Sequence, residues 1–188
     1  MKILYLDLET TGVDPKRHGV HQIAGLIEVH NELVEQFSLK LKPFDTDEID
    51  QQALKIAGVT EEDLKTYDEP KTVYKKLTKI LSSYVDKFNK FDKFQLVGYN
   101  SSFDYSFMFE FFKKCGDPYW GSWVFWPSID VAVLAAYDLL QDRPSLMNFK
   151  LATVARKFGL ELSKNENYHD AIVDIMITRK IFKHIQAG

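Results

Sequence analysis

Apolar and polar positions fall into short blocks that predict an alternation of strands and helices. Ile3-Leu4-Tyr5-Leu6 is an apolar run of the length of a buried strand. Val20 to Val29 and Leu33 to Leu41 are two further strand-like runs, with a hairpin connection expected at Asn31-Glu32. The chain therefore opens as an antiparallel meander, and Pro43 ends its third strand. Between Asp45 and Thr66 the pattern loosens. A short helix is expected over Asp47 to Leu54. Thr60 followed by Glu61, Glu62 and Asp63 reads as the capped start of another. Pro70 suits the first turn of a long helix whose apolar stripe is Val73, Leu77, Ile80, Leu81, Tyr84, Val85 and Phe88.

Phe94 to Tyr99 predicts a fourth strand, and Asn100-Ser101-Ser102 is expected to cap the helix after it. That helix buries Phe103, Phe107, Met108, Phe111 and Phe112, and Gly116-Asp117-Pro118 stops it. The stretch from Tyr119 to Pro127 is rich in tryptophan and reads as irregular. Ser128-Ile129-Asp130 reads as a short last strand or a helix N-terminus. Helices over Val131 to Leu140, Phe149 to Phe158 and Tyr168 to Gln186 complete the chain. The order predicts one mixed α/β layer fold in a single domain over residues 1–188.

Composition narrows the class. Apolar residues make up 45% and charged residues 27% of 188 residues, the balance of a globular protein with a sizeable core. The net charge of −3 gives no global basic field to announce a nucleic-acid partner. The single cysteine, Cys115, excludes an internal disulfide and a thiolate zinc cluster. The N-terminal apolar run is too short for a signal peptide or a membrane span, so the chain reads as cytoplasmic with no membrane partner. Lysines at 71, 75, 76, 79, 87, 90 and 93 form the most basic stretch. A solvated helix face explains it first, and a phosphate-attracting flank second.

Candidate chemistry starts at Asp7-Leu8-Glu9-Thr10-Thr11-Gly12. Strand alternation puts Asp7 and Glu9 on one face and Leu4, Leu6 and Leu8 on the other. Two adjacent carboxylates repel, and a cation between them removes the cost. Alone, such a pair is most often two solvated acids. Two distant acids add weight. Asp104 falls at a strand-to-helix turn, and Asp174 lies among Ile172, Val173, Ile175, Met176 and Ile177, where a charge needs partners. Asp170 reads as a first-turn acid serving the helix dipole. His169 stands near that helix's start, where it could lean over a site that Asp174 helps to build. His18 and His21 read as surface loop histidines.

Three segments carry a family resemblance: Asp7 to Gly12, Gly98 to Met108 with Asn100, Phe103 and Asp104, and His169-Asp170-Ala171-Ile172-Val173-Asp174. Together and in this order they resemble the three motifs of the DnaQ-like 3′–5′ exonucleases. The branch is the one with four acids and a histidine, which includes polymerase proofreading subunits and ribonuclease T. The resemblance implies a ribonuclease H-like α/β fold with a central five-stranded mixed sheet flanked by helices. It implies that Asp7, Glu9, Asp104 and Asp174 hold two Mg²⁺ or Mn²⁺ ions, with all-oxygen ligands favouring these over zinc. His169 would take a proton from the attacking water, and a nucleoside 5′-monophosphate would leave.

It also places Thr10, Thr11 and Phe103 against the 3′-terminal nucleotide, Asn100 near the phosphate and Ile56 as a wedge against a base. Several proofreading relatives have a histidine where this chain has Ala57. The implied partner is the 3′ end of single-stranded nucleic acid, with a DNA polymerase or replication protein as a further partner. The motifs look most like the proofreading group, which favours DNA. Ribonuclease T-like relatives share them, so a 3′–5′ exoribonuclease is the alternative. A non-catalytic binding module of the same fold is a third reading, although all five expected residues are present. The chain stops at Gly188 without the tail that proofreading subunits can carry, which suggests a stand-alone enzyme or one docked through another surface.

Overall fold

The structure is a computed structural model that describes residues 1–160 and 171–187. Its centre is a five-stranded mixed sheet in the order β3-β2-β1-β4-β5. The strands are β1 (Lys2–Thr10), β2 (Val20–Val29), β3 (Glu32–Lys40), β4 (Phe94–Gly98) and β5 (Val124–Asp130). β2 runs antiparallel to β1 and β3, and β4 runs parallel to β1 and β5. The helices are α1 (Gln51–Ala57), α2 (Glu61–Lys65), α3 (Pro70–Ser82), α4 (Ser101–Lys114), α5 (Val131–Asp138), α6 (Leu151–Lys157) and α7 (Ala171–Ala187).

Both sheet faces are covered, which explains why β1 reads as a near-continuous apolar run. On one face Leu4, Leu6 and Leu8 pack with Val73, Leu77 and Leu81 of α3 and with Phe107, Phe111 and Phe112 of α4. On the other face Ile3 and Tyr5 pack with Val131 and Ala135 of α5, Val154 of α6, and Ile175, Ile181 and Phe182 of α7. Asp7 and Glu9 follow Ile3 and Tyr5 in alternation, so they lie on the second face.

α7 is clamped to that face by an ion cluster. Glu28 of β2 is 1% exposed and accepts from Arg179 Nε at 2.9 Å, from Arg179 at 2.7 Å and from Lys183 Nζ at 2.6 Å. Burial opposes the Glu28 charge, but these cations outweigh it and hold the carboxyl below its ordinary range.

Several boundaries differ from the sequence expectation. The β2–β3 turn is His30-Asn31, both at positive φ (52° and 71°), so β3 begins at Glu32. α1 starts after Asp50, whose side chain caps Gln52 N–H, and ends at Gly58 with φ 67°. The helix is thus shifted along the chain and takes in Ile56 and Ala57. Asn100 takes the left-handed conformation (φ 63°), so its side chain makes no cap bond to α4. β5 begins at Val124 within the stretch that reads as irregular, because an edge strand with a shifted register tolerates Pro127. His21 is no surface histidine, since it is 1% exposed on β2. Residues of the last expected helix before Ala171 lie outside the described residues.

Candidate active site

The site forms at the end of β1 and draws on three elements. β1 carries Asp7 and Glu9, the first turn of α4 carries Asp104, and the first turn of α7 carries Asp174. Asp104 is 4% exposed and accepts the Leu8 backbone N–H at 3.1 Å, which ties α4 to β1 between the two acids. Gly98 permits this approach, because a Cβ there would stand 3.2 Å from the Leu6 carbonyl and 3.3 Å from Ser101 Cβ.

The acids feel each other. Burial first, then the charges of Asp104, Glu9 and Asp174, push the Asp7 carboxyl well above the ordinary carboxylate range. Burial likewise raises Asp104, against hydrogen bonds from its own and the Leu8 N–H groups, with Asp130 and Glu9 adding repulsion. Asp130 is therefore a fifth acid at the rim. It ends β5, accepts Asn100 N–H at 3.0 Å and caps α5 through Ala132 N–H at 2.9 Å. Sequence reasoning reached this position only as a strand or helix end. An Asp directly before an apolar helix was the signal for its capping role.

The loop after β1 is braced from behind. Thr11 is fully buried, donates its hydroxyl to the Glu48 carbonyl at 2.6 Å and accepts Gly19 N–H at 2.9 Å. Asp50 N–H bonds the Thr11 carbonyl at 2.7 Å and so anchors α1 beside the site. Thr10 donates its hydroxyl to the Gly12 carbonyl at 2.7 Å. His18 packs on Gly12, where a Cβ would lie 2.2 Å from the ring.

Among the expected site residues, Asp7, Glu9, Asp104 and Asp174 come together. Thr10 ends β1 directly after Glu9, and Thr11 opens the loop that follows. Thr11 is fully buried and spends its hydroxyl, its N–H and its carbonyl inside the protein, so it braces the loop and, against the sequence expectation, does not face a nucleotide. Ile56 is 58% exposed on the last turn of α1. Asn100 holds the turn into α4, and Phe103 is half-buried with its ring 4.7 Å from that of Phe107. His169 lies outside the described residues.

The donor set fits hard divalent cations. Its side chains offer only carboxylate oxygens, and their mutual repulsion is what a cation would relieve. Among the described residues no three His, Cys, Asp or Glu side chains stand as a ready-made ion cage.

The lysine-rich stretch, which the sequence reads first as a solvated helix face and second as a phosphate-attracting flank, lies away from the acids. α3 packs on the opposite sheet face through Val73, Leu77 and Leu81. The following loop is pinned at the far end of β1 by the Lys2–Asp92 ion pair. The stretch from Lys71 to Lys93 thus lies away from the acids, with Lys76 paired to Asp68, Lys87 to Asp117 and Lys93 donating to the Gly121 carbonyl.

The profile of the RNase_T exonuclease family matches residues 4–182. The chain belongs to this family. With the mixed sheet and the acid cluster, it takes its place among the DnaQ-like exonucleases. It is 28% identical over 177 residues to a DNA polymerase III PolC-type protein of Thermotoga maritima, across 94% of this chain and 11% of that one. A PolC-type protein of Bacillus cereus is 26% identical over 172 residues, across 92% and 10%. The chain therefore spans about a tenth of the length of these relatives.

Solved structures give the same fold. The zinc-bound E. coli ExoI–ssDNA complex superposes with a TM-score of 0.79 at 22% identity, over 99% of this chain and 40% of that one. A 3′-exonuclease that recognises a histone mRNA stem-loop superposes at 0.70 with 17% identity, over 100% and 64%. Both are ribonuclease H-like α/β structures, as this exonuclease-family domain is.

Proposed function

We propose that residues 1–188 form a single metal-dependent 3′–5′ exonuclease domain that removes nucleoside 5′-monophosphates from the 3′ end of single-stranded nucleic acid. The observation that carries this is the convergence of Asp7 and Glu9 of β1, Asp104 of the first turn of α4 and Asp174 of the first turn of α7 at one end of the sheet, with Asp104 tied to the Leu8 N–H between the two strand acids. Acids brought together at the end of one strand repel one another, and divalent cations would relieve that repulsion.

Asp7, Glu9, Asp104 and Asp174 would hold two Mg²⁺ or Mn²⁺ ions, which would supply activation of water and polarisation of the scissile phosphodiester. Leu8 N–H fixes the Asp104 carboxylate, and the Glu28–Arg179–Lys183 cluster fixes the helix that carries Asp174. His169 accepts the proton of the attacking water. Thr10 and Phe103 bound the terminal nucleotide, with Thr11 bracing the loop behind them, Asn100 near the phosphate and Ile56 against the base. Stacking and wedging are indifferent to sequence, as an exonuclease requires.

DNA is the favoured substrate, because the PolC-type relatives are DNA polymerases and the ExoI neighbour was solved with ssDNA. The same relatives support a polymerase or other replication protein as partner. The histone mRNA neighbour keeps an exoribonuclease as the second reading. Among the described residues no helix is long and apolar enough to cross a membrane. A cytoplasmic setting accords with the single free cysteine.

The test is degradation of 5′-labelled single-stranded DNA and RNA with Mg²⁺ or Mn²⁺. The proposal expects a ladder shortening from the 3′ end and a faster reaction on DNA. A faster reaction on RNA would establish the exoribonuclease. No shortening of either strand would overturn the enzymatic reading in favour of a binding module.

A further inference from the structure

The sheet register extends the acid site sideways. Asp7 pairs with Ala24, which pairs with Ser38, and Glu9 pairs with Gln22, which pairs with Lys40. Cross-strand partners point to the same face, so Ser38 and Lys40 share the face of the two acids. Two strand spacings put Lys40 ~10 Å from Glu9 across the sheet.

Those two rows form the floor of an open cavity of about 600 Å³. Gln22, Ser38 and Lys40 line the floor, Gly58 and Tyr67 one wall, and Ile172, two residues before Asp174, the other. The volume is that of a small-ligand pocket. Its polar groups are already oriented. Gln22 Nε2 donates to Ser38 Oγ at 3.0 Å. The Lys40 ammonium sits over the Tyr67 ring, 5.3 Å from its centroid, which holds an otherwise mobile side chain in the cavity. Gly58 at φ 67° has open space where a Cβ would be, so the wall there is bare backbone. Asp63 on the rim is engaged by Thr60 N–H at 2.9 Å and by the Thr60 hydroxyl at 2.6 Å.

We infer that this cavity is a subsite for single-stranded nucleic acid next to the cleaved 3′ nucleotide, with Lys40 pairing an internucleotide phosphate. The inference rests on the exonuclease reading and adds a residue and a direction to it. The strand leaves the acids along the Glu9–Gln22–Lys40 row towards the β3 edge. The cation that attracts phosphate is then Lys40, on the face of the acids, and not the lysine-rich α3 behind the sheet. Tyr67 keeps the ammonium in place, and Gln22 and Ser38 offer hydrogen bonds to sugar or base edges.

The experiment compares Lys40→Gln and Lys40→Arg with the wild type on two substrates. One is a single-stranded oligonucleotide and the other is thymidine 5′-p-nitrophenyl phosphate, which has no second nucleotide to enter the cavity. The subsite predicts that the glutamine variant raises KM ~5-fold more on the oligonucleotide than on the ester, a loss worth ~1 kcal/mol. The slope of log affinity against log salt should become shallower by ~0.7. Arginine should restore both. An equal loss on the two substrates, or no change in KM and slope, would overturn the subsite while leaving the exonuclease reading intact. Wild-type inactivity on both substrates would remove the exonuclease reading instead. In that case anisotropy of a dye-labelled oligonucleotide still decides the cavity: weaker binding by Lys40→Gln supports it, and equal binding rejects it.

Discussion

Leu8 donates its backbone N–H to the Asp104 carboxylate at 3.1 Å, joining positions 96 apart in the chain. Leu8 lies between Asp7 and Glu9, and its side chain points into the opposite core. One residue therefore does two things. Its side chain fixes β1 in the core, and its amide sets the height of α4 against the acids. The site is built from the strand outward, and the outlying acids are held by hydrogen bonds and caps that carry no chemistry themselves.

Asp130 is one such support. Asp130→Ala removes the bonds from Asn100 and Ala132 and should cost ~1 kcal/mol, a fall in Tm of about 3 °C. Asp130→Asn keeps an accepting oxygen and should recover most of that stability. It also removes a charge that repels Asp104. Thermal melts and kcat of the two variants check this. Equal melting temperatures would mean that the cap bonds are not what the side chain supplies.

Glu28 supports the other end. Glu28→Gln leaves Arg179 and Lys183 facing a neutral amide and should destabilise by about 2–3 kcal/mol. Because α7 carries Asp174, kcat should fall further than the loss of folded protein explains. Melting and single-turnover rates at a temperature where the variant is fully folded make the check. A normal rate there would show that the clamp does not position Asp174.

Much of this was legible in the sequence, for physical reasons. A strand buried on both faces reads as Ile3-Leu4-Tyr5-Leu6, and acids interrupting its end stand out. The stripe of α3 is legible as far as Leu81 because one helix face meets a core, but the helix ends at Ser82, and Phe88, expected on the same stripe, is 89% exposed beyond it. β5 was harder, since Phe125, Trp126 and Pro127 break the pattern while an edge strand tolerates them. α1 was misplaced because its start depends on the Asp50 cap and its end on the left-handed Gly58, both local backbone events. Lys40 was out of reach altogether, as only the register of three strands puts it in line with Glu9. His21 looked like a loop residue because it follows a polar stretch, although β2 had already begun.

That buried histidine gives the fold an acid limit. Burial, then the charge of Lys40, lowers its pKa from 6.5 to about 4. The folded chain therefore keeps His21 neutral where the unfolded chain takes up a proton. Stability from this residue is complete above pH ~6.5, and it is lost as pH falls towards 4, by about 3 kcal/mol in all. His21→Met should flatten the fall in Tm between pH 6.5 and 4.5. An unchanged profile would assign the acid sensitivity to other groups.

The most direct measurement is the melting of wild type and Asp7→Asn at pH 7.5, each with and without Mn²⁺. Asp7 is raised by burial and by three neighbouring acids, so its charge costs stability above its folded pKa, and that cost fades as pH falls. Without metal, the asparagine variant should melt higher than the wild type, because it removes a carboxylate that burial and its neighbours disfavour. With Mn²⁺ at ~100 times its dissociation constant, the wild type should gain about 2.7 kcal/mol and overtake the variant. A variant that melts lower without metal, or Mn²⁺ shifts that are the same in both proteins, would contradict a cation site built from these carboxylates.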